Sequence, residues 1–183
     1  GSEPYEVANA GAMTVTGPSL LPLVYFSEYV EGTSNNKALE IYNRGTTDVT
    51  LDDCVIRFYS NGSSSAATTI PLSGTLAADD TYVVCHDSSD AAILALCDLT
   101  STASFFNGDD AIELSCLGFP VDVIGQIGFD PGSEWGTGLA STADNTLRRM
   151  CIASGDPDGS DAFDPATEWT GSATDTFDGL GVA

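Results

Sequence analysis

An aspartate-rich loop near the end of the chain carries the residues best suited to bind a metal ion. Five side chains offer oxygen atoms within this loop: Asp156, Asp158, Ser160, Asp161 and Asp164. Calcium takes about six to eight hard oxygen ligands, and flexible loops can supply them. The loop departs from the EF-hand pattern, because its glycine falls too early and no glutamate closes it. Two interpretations stay open, a calcium site and a network of aspartate turns.

A catalytic triad would have to use His86, because it is the only histidine. It follows Cys85 at the end of an apolar run, and adjacent residues of a strand face opposite ways. The sequence also lacks a phosphate-binding glycine loop, HExxH and GxSxG. Acidic residues are too abundant for a carboxylate pair to mark a glycosidase site. We therefore predict no catalytic residues and keep a hydrolase of phosphoester or glycoside substrates as an alternative.

The charge balance restricts the class of partner. Among 183 residues, 27 are acidic and 5 are Lys or Arg, which gives a formal net charge of −22. Binding to a nucleic-acid backbone requires cationic side chains that displace counterions, and anionic membrane surfaces make the same demand. No apolar run reaches the roughly 18 residues of a membrane span. The sequence thus disfavours direct nucleic-acid binding, predicts no membrane span and leaves an unidentified protein or surface as partner.

The five cysteines predict two disulfides and one free thiol. They form no CxxC motif and no cluster with the histidine, which argues against structural zinc. Cys85 and Cys97 bracket a predicted helix, and Cys116 and Cys151 lie in strand-like runs, so we expect these two pairs and a buried free Cys54. Other pairings remain open. Disulfides persist in oxidising compartments, so we predict an extracellular or cell-surface location.

Short runs typical of β-strands alternate with turn signals along most of the chain. Strands of this length between Gly, Asn, Asp and Pro clusters are typical of an antiparallel sandwich or barrel. The predicted strands cover residues 23–26, 38–42, 54–59, 81–85, 111–116, 121–127 and 145–150.

One segment, residues 89–97, is predicted to be a short helix. Ser88 or Ser89 would cap its first turn, since serine side chains accept hydrogen bonds from free backbone N–H groups there. Its packed side would comprise Ile93, Leu94 and Leu96.

The ends of the chain differ in character from its centre. Residues 1–19 are small and polar and predict a tail or linker, in which Gly1-Ser2 is typical of a cloning scar that replaces a natural leader. Residues 20–183 are expected to form one domain. Its last part, residues 155–183, is rich in Asp and Gly but punctuated by aromatic residues. We expect this C-terminal strap to be ordered and to lie over the sandwich.

A series of short phrases along the chain occurs in the order found in a known domain family. The phrases are SEYVEG (27–32), SNNKALEIYN (34–43), FNGDDA (106–111), VDVIGQ (121–126), DPG (130–132), WG (135–136), NTLRR (145–149), FDP (163–165), EW (168–169) and DTF (175–177). From about residue 20 to 181 the chain therefore resembles the lamin tail domain family, in its bacterial, secreted branch.

The resemblance implies an all-β, immunoglobulin-like antiparallel sandwich and a non-catalytic module. In this branch such modules are often attached to secreted nucleases or phosphatases, or to cell-surface proteins. The nuclear role does not carry over, because the chain lacks a coiled-coil rod and a basic import cluster. We expect an accessory, structural or partner-binding part of an extracellular protein, with a calcium-stabilised adhesion or matrix module as the alternative.

Charged residues within these phrases predict structural contacts. Lys37 is expected to form an ion-pair group with Glu28 and Glu40 on adjacent strands. Asp109 and Asp110 lie between a turn and a strand, where aspartate side chains accept hydrogen bonds from backbone N–H groups.

Arg148 and Arg149 are two of the few basic residues. Their side chains should point to opposite faces of a strand. At least one is expected to pair with a buried or clustered carboxylate such as Glu28, Glu40 or Asp122.

Overall fold

A computed structural model describes residues 23–151 and 154–182, so the expected tail lies outside the described residues. Each predicted strand segment overlaps an observed strand. The strands are β1 (Val24–Glu31), β2 (Lys37–Asn43), β3 (Val49–Thr50), β4 (Cys54–Tyr59), β5 (Thr68–Pro71), β6 (Thr75–Leu76), β7 (Thr81–His86), β8 (Leu99–Ser101), β9 (Ala111–Cys116), β10 (Phe119–Ile124), β11 (Gly136–Thr137), β12 (Ala140–Ser141), β13 (Asn145–Arg149) and β14 (Trp169–Ala173). The single α-helix of this part of the chain is α1 (Ala91–Leu94).

Two sheets pack face to face. The larger sheet has the strand order β14-β13-β1-β2-β7-β8, and the smaller has the order β10-β9-β4-β5. Their strand pairs are antiparallel except for β7 with β8. Two short ribbons, β3 with β6 and β11 with β12, complete the strand pairing. The prediction of an immunoglobulin-like antiparallel sandwich with one short helix is confirmed.

The alternation of side chains in β1 shows how the sequence builds both faces of the larger sheet. Val24, Phe26 and Tyr29 belong to the core between the sheets, whereas Val30 belongs to a separate apolar cluster on the outer face. Strict alternation would not place both Phe26 and Tyr29 inside, because their positions differ by three. The pairing of β1 with β2 shifts between Phe26 and Glu28, and this bulge restores the phase.

Aromatic side chains fill the centre of the core. Tyr29, which is 1% exposed, stacks on Phe106 with ring centroids 4.6 Å apart, and Phe58 meets Phe106 edge to face. The Tyr29 hydroxyl donates a hydrogen bond of 2.8 Å to the carbonyl oxygen of Thr142. The buried phenol is therefore satisfied, and it ties the loop before β13 to the core.

The outer face of the larger sheet is partly covered. A second apolar cluster contains Val30, Ala38 and Val83 from the sheet, Ile93 from α1 and Leu180 from the strap. This half of the outer face is consequently a second small core. The other half carries polar and aromatic side chains.

The helix is shorter than the predicted segment 89–97. Its N-cap is Asp90, not a serine, and the Asp90 side chain makes no capping hydrogen bond. Ser89 is not available, because its hydroxyl donates to the carbonyl oxygen of Asn35 at 2.7 Å. Of the three side chains expected on the packed side, Ile93 alone is buried.

The disulfide pairing differs from the expectation at one bond. Cys85 is joined to Cys97, but Cys116 is joined to Cys54 and Cys151 is free and exposed. The expected Cys116–Cys151 pair and the expected free Cys54 are therefore wrong. Cys54 and Cys116 are direct partners on β4 and β9, with Cα atoms 4.1 Å apart, whereas Cys151 follows a strand of the other sheet.

The C-terminal strap contributes a strand to the larger sheet, and its end lies over the outer face of that sheet. Trp169 begins β14 and is 2% exposed in the main core. Gly171 pairs with Leu147 of β13. A Cβ atom at Gly171 would lie 1.7 Å from the carbonyl oxygen of Leu139, so this edge position accepts only glycine.

Asp122 of β10 joins the two sheets. Its buried carboxylate accepts hydrogen bonds from the backbone amides of Phe26 and Asp156, both at 2.8 Å, and pairs with the buried guanidinium of Arg149. Burial raises the pKa of Asp122, while Arg149 acts in the opposite direction. Asp122 therefore links the smaller sheet to β1, to β13 and to the strap.

Replacing Asp122→Ala should lower the free energy of unfolding by about 3–5 kcal/mol, because it removes the buried partner of the buried Arg149 charge. Urea unfolding followed by circular dichroism measures this loss. The matched control is Asp178→Ala, which removes an exposed partner of Arg148 and should lower the stability far less than Asp122→Ala does. Equal losses for the two variants would contradict the role assigned to Asp122.

Peptide mapping of the non-reduced protein tests the cysteine pairing. The digest should contain the linked peptides Cys54–Cys116 and Cys85–Cys97, and alkylation before reduction should label Cys151 alone. A linked peptide that contains Cys151 would contradict the structure.

Candidate functional site

A cavity of about 410 Å³ opens on the uncovered half of the outer face. Its wall is built by β1, β2, the end of β13 and the strap. The carboxylates that line it are Glu28, Glu40 and Asp178.

The strand register explains why charged residues meet here. Glu28 lies opposite Glu40 of β2 on one side and opposite Arg148 of β13 on the other. The three side chains consequently form a row across adjacent strands. Tyr25 and Tyr42 form a further pair of β1 and β2 that lines the cavity, on the other side of the bulge, and their rings meet edge to face at 5.7 Å.

Glu28 is the most unusual group in the cavity. Its carboxylate is 2% exposed, and its Oε2 accepts a hydrogen bond of 2.9 Å from Nε of Arg148. Its Oε1 is buried and has no hydrogen-bond partner. Burial raises the pKa of Glu28 to about 7, although Arg148 acts to lower it and Glu40 adds to the rise.

Glu40 holds the strap in place. Its Oε1 accepts a hydrogen bond of 2.7 Å from the Ser27 hydroxyl, and its Oε2 accepts one of 2.6 Å from the backbone amide of Gly181. Burial raises the pKa of Glu40, and these hydrogen bonds partly offset the rise. Unlike Glu28, Glu40 uses both oxygens within the protein.

The two arginines are each shared between carboxylates. Arg148 pairs with Glu28 and with the exposed Asp178. Arg149 pairs with Asp122 and Glu168, and its guanidinium also lies over the Trp169 ring at 4.8 Å. Both guanidiniums are therefore paired with carboxylates of the protein.

The lysine predicted to join this group lies elsewhere. Lys37 pairs with Glu31, not with Glu28 or Glu40, so that expectation is wrong. The register explains the difference, because Glu31 is the residue directly opposite Lys37 in the β1–β2 pair.

The turn aspartates lie away from the cavity, where Asp110 accepts a hydrogen bond of 2.9 Å from the amide of Asn61. Asp109 is buried beside it.

The aspartate loop forms a chain of turns. The amide of Asp156 donates to Asp122, the amide of Asp158 donates to Asp156 at 3.0 Å, and Ser160 donates to Asp158 through its amide and hydroxyl. The side chain of Asp164 accepts from a backbone amide at the start of a 3-10 turn. Asp156, Asp158, Asp161 and Asp164 line a small cavity of about 170 Å³.

The described residues show no group of three His, Cys, Asp or Glu side chains placed to hold a metal ion. The aspartate turns account for much of the loop's hydrogen bonding. Calcium binding by the loop stays a prediction.

His86 and its neighbours form no triad. Its Nδ1 accepts a hydrogen bond of 3.0 Å from the amide of Ser88, and its ring meets that of Phe105 edge to face at 5.5 Å. The adjacent Cys85 is held in a disulfide and cannot serve as a nucleophile.

Comparison with known families agrees with this architecture. The model of the lamin tail domain family matches residues 21–128, more than half of the chain. The chain therefore belongs to the lamin tail domain family, an immunoglobulin-like and generally non-catalytic module. No curated protein and no solved structure matches it. Within the described residues, no helix is long and apolar enough to cross a membrane.

The sequence named the charged residues of the cavity separately, but it did not predict the cavity. Alternation in β2 could have placed Glu40 on the outer face, whereas strict alternation in β1 puts Glu28 on the same face as the core residue Phe26. The bulge at Phe26 and the path of the strap have no comparable sequence signal. Both are needed to close the cavity wall.

The raised pKa of Glu28 predicts a pH dependence of stability. Because the folded protein holds this proton more tightly than the unfolded chain, the associated stabilisation is complete below about pH 4.5 and is lost as the pH rises through about 7. Relative to Glu28→Gln, the wild-type free energy of unfolding should fall by about 1–3 kcal/mol between about pH 4 and 8. Urea unfolding at several pH values measures this difference. A difference that does not change with pH would contradict the burial of an ionisable Glu28.

Proposed function

We propose that the chain is a non-catalytic binding module of an extracellular protein. The observation that carries this proposal is the cavity on the outer face, where Glu28 is buried with an unsatisfied oxygen. A buried polar atom without a partner is costly, and a ligand that supplies a donor to it would remove this cost. The family's generally non-catalytic character supports binding over turnover.

An extracellular location is supported by the two disulfides. They link β4 to β9 and β7 to the segment after α1, and bonds of this kind persist in oxidising surroundings. The assignment to the bacterial, secreted branch of the family belongs to this proposal. The net charge of −22 favours a protein or surface partner over a nucleic acid.

The accessory role implies that chemistry is done by another part of the parent protein. A screen of the purified chain against DNA, nitrophenyl phosphates and nitrophenyl glycosides should show no rate above that of buffer. The alternative, a hydrolase, requires turnover that disappears when His86→Ala or a carboxylate substitution is made. Such turnover would contradict the proposed function.

A calcium-stabilised adhesion or matrix module is the second candidate, and the acidic lining of the small cavity next to the aspartate loop favours it. Thermal unfolding of a calcium-loaded sample, with and without EDTA, separates the two. The lead proposal expects an unchanged midpoint, because Asp156, Asp158 and Asp164 are used in turns. A midpoint lowered by EDTA and restored by calcium would replace it with the second candidate.

A further inference from the structure

We propose that the cavity on the outer face binds a primary alkylammonium group, carried by a free amine or by a lysine side chain. The proposal rests on the binding role argued above and gives it a ligand chemistry. Three features of the cavity lead to it: its charge, the unsatisfied oxygen of Glu28 and its apolar walls.

The surroundings of the cavity carry a surplus of negative charge. Arg148 and Arg149 lie in the wall, and Arg44 lies close enough to the two tyrosines to influence them electrostatically. The carboxylates that line the cavity, Glu28, Glu40 and Asp178, outnumber its two lining guanidiniums. Asp122 and Glu168 do not line it but add negative charge beside Arg149. A cationic ligand is therefore favoured over an anionic one.

Glu28 supplies the contact that a cation would complete. It is 2% exposed, lines the cavity and keeps one oxygen, Oε1, without a hydrogen-bond partner. The other oxygen is held by Arg148. Because Oε1 is buried, a ligand reaches it by displacing the side chains that cover it, and an ammonium group, with three N–H donors and no acceptor, can then satisfy this oxygen. Charge-assisted hydrogen bonds of this type are among the stronger ones in proteins.

The apolar walls favour an organic cation over a metal ion. Tyr25, Tyr42, Met150 and Val182 surround the charged row. Tyrosine rings attract ammonium groups through cation–π contacts, and the aliphatic side chains suit a hydrocarbon stem. A hard metal ion instead needs about six oxygen ligands, and Glu40 already uses both of its oxygens within the protein. At about 410 Å³, the cavity has the size of small-molecule sites, which span roughly 300–1,000 Å³.

The thiol of Cys151 can report whether a ligand occupies the cavity. It lines the same wall and is the one cysteine of the chain outside a disulfide. A neutral alkylating reagent such as iodoacetamide should react with this thiol more slowly when a ligand occupies the cavity.

The test is a titration of the full chain at pH 8 and physiological salt, followed by amide NMR shifts. The probes are n-hexylamine, hexanol and hexanoate, which share a hydrocarbon body and differ in charge. Hexylamine should bind with a dissociation constant on the order of 1 mM, as expected for a ligand of its size. Hexanol and hexanoate should bind at least about tenfold more weakly. The shifts should centre on Glu28, Glu40 and Arg148, and hexylamine alone should slow alkylation of Cys151.

Variants locate the contact. Glu28→Gln should weaken hexylamine binding about tenfold. The matched control is Glu113→Gln, since Glu113 is also a buried strand glutamate paired with an arginine, Arg57, but lies in the smaller sheet. This control should bind hexylamine like the wild type. The three probes on the wild-type chain decide the proposal even if Glu28→Gln does not fold.

A capped peptide, acetyl-Gly-Lys-Gly-amide, separates the two sources of the ammonium group. Binding at least as tight as that of hexylamine indicates a lysine of a protein partner, and binding of hexylamine without the peptide indicates a free amine. Equal affinity for hexylamine and hexanol, or shifts spread evenly over the acidic surface, would overturn the proposal. The enzyme screen tests the non-catalytic role independently of these titrations. A failure of the alkylammonium proposal is therefore distinguishable from a failure of the non-catalytic role.

Discussion

The buried contact between Asp122 and Arg149 is the constraint on which the arrangement of the two sheets depends. Asp122 comes from the smaller sheet, and its oxygens meet the β1 backbone, Arg149 of β13 and the backbone of the strap. Successive side chains of a strand face opposite ways. Anchoring Arg149 to Asp122 therefore turns Arg148 to the outer face, where it meets Glu28. The contact that joins the sheets thus also orients one wall of the cavity.

The cavity combines a structural and a functional use of buried charge. Glu40 satisfies both of its oxygens and secures the strap, whereas Glu28 satisfies only one. Burial of this incompletely paired carboxylate raises the pKa of Glu28 to about 7. A folded protein that keeps such a group at an open cavity gains from a ligand that supplies the missing donor. This reasoning connects the energetics of one carboxylate to a binding role for the module.

Local patterns predicted most of the fold. Alternating apolar residues marked the long strands, because each has one face in the core. The edge strand β14 was missed, since its Thr-Gly-Ser-Ala stretch has low strand propensity and forms only because β13 offers a partner. The Cys54–Cys116 bond was missed because it depends on strand register. The cavity was missed for a similar reason, as Glu28 and Arg148 are far apart in sequence and meet only through pairing of β1 with β13.

The central claim is that Glu28 is a buried carboxylate completed by a cationic ligand. Its most direct test is the pH titration of the Glu28 side-chain carboxyl carbon by NMR, with and without saturating hexylamine. The account predicts a midpoint near 7 for the free protein and a lower midpoint with the amine, because the bound cation stabilises the ionised carboxylate. A midpoint near the ordinary glutamate value, or one that hexylamine does not move, would contradict the account.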